Sequence, residues 1–66
     1  MPKYWTYKVG DKVIVNEKAK KGMPDSVGKT GVILSFLEVS SYDYEVLLED
    51  RSIGKFKEVE LNKING

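Results

Sequence analysis

Cysteine and histidine are both missing from the 66 residues. The first absence excludes disulfides, a thiolate nucleophile and cysteine-ligated zinc, and the second removes the imidazole base and the commonest metal ligand. No apolar run approaches the roughly 18 residues of a membrane span, and no basic region leads into an apolar stretch with a small-residue cleavage site. These absences point to a soluble cytoplasmic protein with no membrane attachment. An excess of one charge is also lacking: eleven Lys and Arg stand against ten Asp and Glu, a net of +1, too near neutral to mark a nucleic-acid binder by bulk electrostatics.

The even total hides an uneven distribution. Residues 8–29 carry six Lys against Asp11, Glu17 and Asp25, whereas residues 30–50 carry Glu38, Asp43, Glu45, Glu49 and Asp50 with no cation. An acidic stretch is flanked by basic ones. A chain of this length holds one domain, over 1–66, whose stability should be about 3–5 kcal/mol, with little left over for a strained active site.

The local pattern is β. Val13-Ile14-Val15 and Val32-Ile33-Leu34 are β-branched-rich runs, and Tyr42, Tyr44, Val46 and Leu48 alternate with Asp43, Glu45 and Leu47. Turn signals separate them at Gly10-Asp11, across 21–26, at Ser40-Ser41 and over 49–52. The reading predicts strands near 12–16, 31–38, 43–49, 52–57 and 61–65, a 3₁₀ turn over 58–60, and a long, mobile loop over 17–28. Five short strands cannot form a flat sheet with one wet face, because too little apolar surface would leave water. The sheet must curl into a small all-β barrel. A long loop after the first strand, then a three-stranded meander, a helical turn and a short last strand give the SH3-like order; an OB fold would need a helix between its third and fourth strands. The expected core is Val13, Val15, Ile33, Val46, Leu48, Phe56, Leu61 and Ile64. Strand 31–38 is apolar on both faces, so either Ile33 or the pair Val32 and Leu34 can point inward.

Chemistry-bearing motifs are few. Gly28-Lys29-Thr30 has the end of a phosphate-binding loop but not its spacing, and it runs on into a strand rather than opening a helix. Asp43 and Glu45 share a strand face opposite Tyr42, Tyr44 and Val46, which reads as the wet outside of the barrel. With no companion nucleophile or base they do not suggest an enzyme, and no calcium-loop spacing suggests a metal. No cofactor is expected. Lys18, Lys20, Lys21 and Lys29 could form a basic rim for a phosphate backbone, or simply a solvated loop. The aromatic arm over 1–8, with Tyr4, Trp5 and Tyr7, admits two readings: Trp5 closes an open end of the barrel, or the rings, with Tyr42, line a groove for a partner. Arg51, the only arginine, stands at a turn beside Glu49 and Asp50, where pairing with those carboxylates is the simplest account.

The frame Val9-Gly10-Asp11-Lys12-Val13-Ile14-Val15, then 28–33, then Glu60-Leu61 is similar to KOW, Tudor and other SH3-like modules. The opening Met1-Pro2-Lys3-Tyr4-Trp5, then Tyr7, Val9-Gly10, Val27-Gly28, Gly31, Ile33, Tyr42-Asp43-Tyr44, Phe56-Lys57-Glu58 and Glu60-Leu61 together resemble the YorP family of small Bacillus prophage proteins over nearly the whole chain. That resemblance implies an SH3-like barrel and a phage or prophage origin in a host cytoplasm, and implies no activity. The basic loop around Lys18-Ala19-Lys20-Lys21 and the pair Arg51-Ser52 fall outside the matching segments. The functional expectation is a non-catalytic module, monomeric when free, that docks on a host or phage protein. The alternatives are a KOW- or Tudor-like nucleic-acid module using the basic loop, and a structural accessory of a phage particle.

Overall fold

The computed structural model describes residues 5–38 and 41–64. Five strands, β1 (Lys12–Val15), β2 (Thr30–Phe36), β3 (Tyr44–Leu48), β4 (Ile53–Phe56) and β5 (Leu61–Lys63), pair antiparallel in the order β4-β3-β2-β1-β5. Three single-turn 3₁₀ helices, Glu17–Ala19, Pro24–Ser26 and Glu58–Glu60, supply the only helical geometry among the described residues. This is the expected small SH3-like barrel, with the last 3₁₀ turn delivering the chain to β5. The β1–β2 connection holds two of these turns. Asn16 caps its first turn by accepting from the Lys18 N–H, Pro24 opens the second, and Ala19 is buried between them.

Alternation along the strands sorts side chains onto two faces. Val13 and Val15 of β1, Ile33 of β2, Tyr44, Val46 and Leu48 of β3, Phe56 of β4 and Leu61 of β5 point inward, and with Ala19 form one core. Ile33, rather than Val32 and Leu34, therefore faces the interior. Two expectations are corrected. Ile64 is only half-buried and lies outside the core, because β5 ends before it and its backbone N–H reaches the Lys12 carbonyl at the sheet margin. Tyr44, placed on the inward face by alternation but left out of the expected core, is fully buried, and its hydroxyl finds partners there.

Curvature comes from one bulge and two missing side chains. The β2–β3 register shifts between Ile33 and Ser35, so that Phe36 stands opposite Tyr44 and bends the strand over the core. Gly31 and Gly54 take inward positions where no side chain fits. A Cβ on Gly31 would lie 2.6 Å from Val46 Cγ1 and 2.7 Å from the Leu47 carbonyl oxygen, and one on Gly54 would lie 2.7 Å from the Phe56 ring. Gly10 and Gly28, flanking β1 and leading into β2, have φ of 94° and 87°, the left-handed region that other residues rarely adopt.

Since a backbone carbonyl cannot step aside as a side chain can, Gly31→Ala should destabilise the fold by about 1–3 kcal/mol through overpacking. The check is the urea midpoint with an unchanged slope; a midpoint equal to that of the parent would contradict this account of Gly31.

Candidate docking surface

Four of the described aromatic rings, Trp5, Phe36, Tyr44 and Tyr7, pack in one chain of contacts. Trp5 stacks on Phe36 with ring centroids 5.0 Å apart, and Phe36 meets Tyr44 edge-on at 5.9 Å. The Trp5 indole N–H donates to the Asp43 carbonyl at 3.1 Å, and the Tyr7 hydroxyl donates to the Leu61 carbonyl at 3.0 Å. Tyr44 ties the arm down: its hydroxyl accepts from the Tyr7 N–H at 3.1 Å and donates to Glu58 Oε1 at 2.8 Å, which also accepts from the Thr6 N–H at 3.1 Å. Asp43 Oδ2 in turn accepts from the Glu58 N–H at 2.8 Å. Asp43 is therefore a half-buried anchor for the last 3₁₀ turn and not part of a wet outer face, because the bend of the chain after β4 brings that N–H to its carboxylate.

Burial raises the Tyr44 phenol to about 12, with Glu58 reinforcing the shift and the Tyr7 N–H opposing it. The Tyr7 phenol is raised too, first by burial and then by Glu58.

The proposed site residues separate. Trp5 and Tyr7 are half-buried in the arm, Tyr42 is 36% exposed, and Tyr4 lies outside the described residues. Lys18, Lys20 and Lys21 are exposed on and after the first 3₁₀ turn. Lys29 does not join them as a free cation. Its Nζ donates to Asp50 Oδ2 at 2.7 Å, which raises the Lys29 ammonium and holds Asp50 well below the usual carboxylate range, with Ser52 adding to the effect. Arg51 is thereby left without the carboxylate expected for it: Asp50 faces Lys29, and Arg51 sits at φ 71° on the hairpin tip.

The opposite side of the sheet carries a feature that residue-by-residue scanning missed. Lys12 is registered with Val32, Val32 with Leu47, and Leu47 with Ile53, while the Ile64 N–H bonds the Lys12 carbonyl. One row across four strands, β1 to β4, with Ile64 just past the end of β5, thus reads Ile64, Lys12, Val32, Leu47, Ile53. Leu47 is 36% and Ile53 60% exposed. A groove of 310 Å³ opens there, lined by Lys12, Thr30, Val32, Leu47, Glu49 and Ile64. The sequence signal for it was the apolar character of 31–38 on both faces. Among the described residues no group of three acidic side chains converges as a metal site, and no helix is long and apolar enough to cross a membrane.

The Tyr44 shift carries a pH consequence. An unfolded tyrosine ionises near pH 10, so the Tyr44 contribution is complete below about 10 and lost as pH rises toward about 12, a change on the order of 3 kcal/mol. Thermal unfolding followed by circular dichroism should show the melting temperature falling across that window, and Tyr44→Phe should flatten the fall. A parent melting temperature that holds steady through it would contradict the assignment.

The YorP family model, described as "YorP protein", matches residues 1–66. A curated relative, the SPbeta prophage-derived uncharacterized protein YorP of Bacillus subtilis (strain 168), is 46% identical over 66 residues, covering 100% of this chain and 93% of its own. The NMR structure of Bacillus subtilis protein YorP superposes with a TM-score of 0.90 at 44% identity, over 100% of this chain and 79% of that one. With a match running from end to end in both sequence and backbone, the chain belongs to the YorP family.

Proposed function

We propose that this chain is a non-catalytic, phage-type binding module that docks on a host or phage protein through the outer face of its sheet. Prophage origin is taken from the curated relative's description. The observation that carries the reading is the in-register row in which Leu47 and Ile53 are exposed beside the half-buried Val32, with half-buried Ile64 across Lys12 from them, on a chain with few apolar side chains to give away. Contiguous apolar surface of this kind marks interaction sites in proteins that otherwise bury what they can. Rigid β-strands hold the row, so little ordering entropy opposes docking.

The nucleic-acid alternative draws less support. Lys29 is engaged by Asp50, leaving Lys18, Lys20 and Lys21 as its electrostatic footprint. Trp5, Tyr7 and Tyr44 pack on one another or on Phe36, so they do not stand as stacking platforms beside those lysines. The phage-particle accessory is compatible with the same face, its partner then being a particle protein.

Photo-crosslinking distinguishes these readings. With benzoylphenylalanine in place of Leu47, Bacillus cells should yield a discrete protein adduct that survives nuclease; with the same probe in place of Lys20 they should not. Adducts formed only from position 20 and abolished by nuclease would overturn the proposal in favour of a nucleic-acid module.

A further inference from the structure

We infer that the open edge of β4 receives an extended segment of another protein, which joins the sheet as an antiparallel strand and sets an apolar side chain beside Ile53. This rests on the docking reading above and adds the partner's conformation to it. Along an antiparallel pair, residues alternate between turning their N–H and C=O toward the neighbouring strand and turning them away. In the β3–β4 hairpin the Leu48 N–H donates to the Ser52 carbonyl at 2.8 Å, which fixes the phase. With Val46 registered to Gly54 and Tyr44 to Phe56, Gly54 and Phe56 are the residues that bond β3. Ile53 and Lys55 therefore turn their backbone groups outward, and because β4 ends the sheet no strand meets them.

Most of the remaining margin is capped. At the other edge, the Asn16 and Ile64 N–H groups bond the carbonyls of Glu60 and Lys12, so Leu61 and Lys63 are the outward residues of β5. The Leu61 N–H reaches the Glu58 carbonyl, and its own carbonyl accepts from the Tyr7 hydroxyl, which leaves Lys63 alone there. On either side of the β4 gap, the Arg51 N–H is taken by the Leu48 carbonyl, the Lys57 N–H by Glu60 Oε1, and the Lys57 carbonyl by the Glu60 N–H. Only the Ile53 and Lys55 backbones, side by side on one edge, find no hydrogen-bond partner among the described residues.

An exposed edge with unpaired N–H and C=O groups is a template for strand addition. An antiparallel segment satisfies all of them with two of its residues, one opposite Ile53 and one opposite Lys55, each turning both its groups to β4. The residue opposite Ile53 extends the row of Leu47 and Ile53 on the outer face, so an apolar β-branched side chain there gains a cross-strand contact with a residue that is 60% exposed. Lys55 sets no charge on the segment, because Glu45 already stands opposite it on β3. A second copy of this chain is a poor occupant. Pairing two β4 edges about a two-fold axis at Ile53, Gly54 or Lys55 sets Lys55 against Arg51, Arg51 against Lys57, or Lys55 against Lys55, all of them exposed, and like charges directly opposite oppose pairing.

Hydrogen exchange of the free chain should show the Ile53 and Lys55 amides exchanging at least about tenfold faster than those of Gly54 and Phe56. The binding probe is the peptide acetyl-Thr-Val-Thr-Val-Thr-amide, with two N-methylated forms, one methylated on both valines and one on the central threonine. The unmodified and threonine-methylated peptides should shift the Ile53 and Lys55 amide resonances, and the valine-methylated form should bind about fivefold more weakly or less, as expected for lost hydrogen bonds. Lys55→Pro removes a donor that points away from β3, so the Gly54 and Phe56 amides should stay protected while peptide binding and the crosslink from position 47 fall about fivefold. Lys55→Thr, which keeps the N–H, should leave both unchanged.

Equal protection of the four amides, a peptide that moves neither Ile53 nor Lys55, or valine methylation without effect would overturn the inference. So would an adduct from position 47 that Lys55→Pro leaves intact; in each of these cases the docking reading stands while that adduct forms. If no adduct forms from position 47 in the parent, both fail. A dimer by sedimentation that Lys55→Pro dissociates would make the occupant a second copy, and would overturn the inference as well.

Discussion

The Tyr44 hydroxyl is the point on which the fold closes. It lies in the core, fully buried, and reaches both the Tyr7 backbone and the Glu58 carboxylate. Strand β3, the N-terminal arm and the last 3₁₀ turn thus converge on a single oxygen. A buried phenol without partners would oppose folding by about 1–3 kcal/mol, so the arm and the turn are conditions for placing a tyrosine there at all. Once they are in place, Trp5 can lie on Phe36 and cover one end of the barrel.

That closure decides which surface remains for binding. The described rings of the arm turn toward the barrel, Lys29 and Asp50 neutralise each other beside β2, and Asp43 holds the start of the last 3₁₀ turn. What stays open is the outside of the sheet, where Val32, Leu47 and Ile53 stand in one row with Ile64 across Lys12 from them. Strand pairing fixes those positions more firmly than any loop could, so a partner would meet a surface already formed. The same faces that build the barrel also define its interaction surface, because alternation along a strand assigns each side chain to one side or the other.

Much of the architecture was legible from alternation and turn residues: the five strands, the 3₁₀ turn at Glu58–Glu60 and seven of the nine core side chains were expected, although alternation left the inward face of 31–38 open between Ile33 and its neighbours. The burial of Ala19 and the complete burial of Tyr44 were not. Ala19 is buried by the way the first 3₁₀ turn folds over the barrel, a tertiary effect that no local pattern carries, and the Tyr44 hydroxyl can be buried because Glu58, fourteen residues on, accepts a hydrogen bond from it. Ile64 was assigned inward by hydrophobicity, whereas the end of β5 leaves it on the margin. The candidate surface was the least readable. Val32, Leu47 and Ile53 come from three strands, and only the register aligns them. The pairing of Lys29 with Asp50 likewise spans separate elements, so the sequence showed a basic cluster where the structure has an ion pair.

The division of labour between the two faces can be measured directly by urea unfolding of the double variant Leu47→Thr, Ile53→Thr. Threonine keeps the strand preference and removes the outer apolar groups. If the inner face alone holds the barrel together, the unfolding free energy should stay within about 1 kcal/mol of the parent, as for other surface changes. A loss of about 3 kcal/mol or more would mean that these side chains belong to the core, and would contradict the claim that they are free to receive a partner.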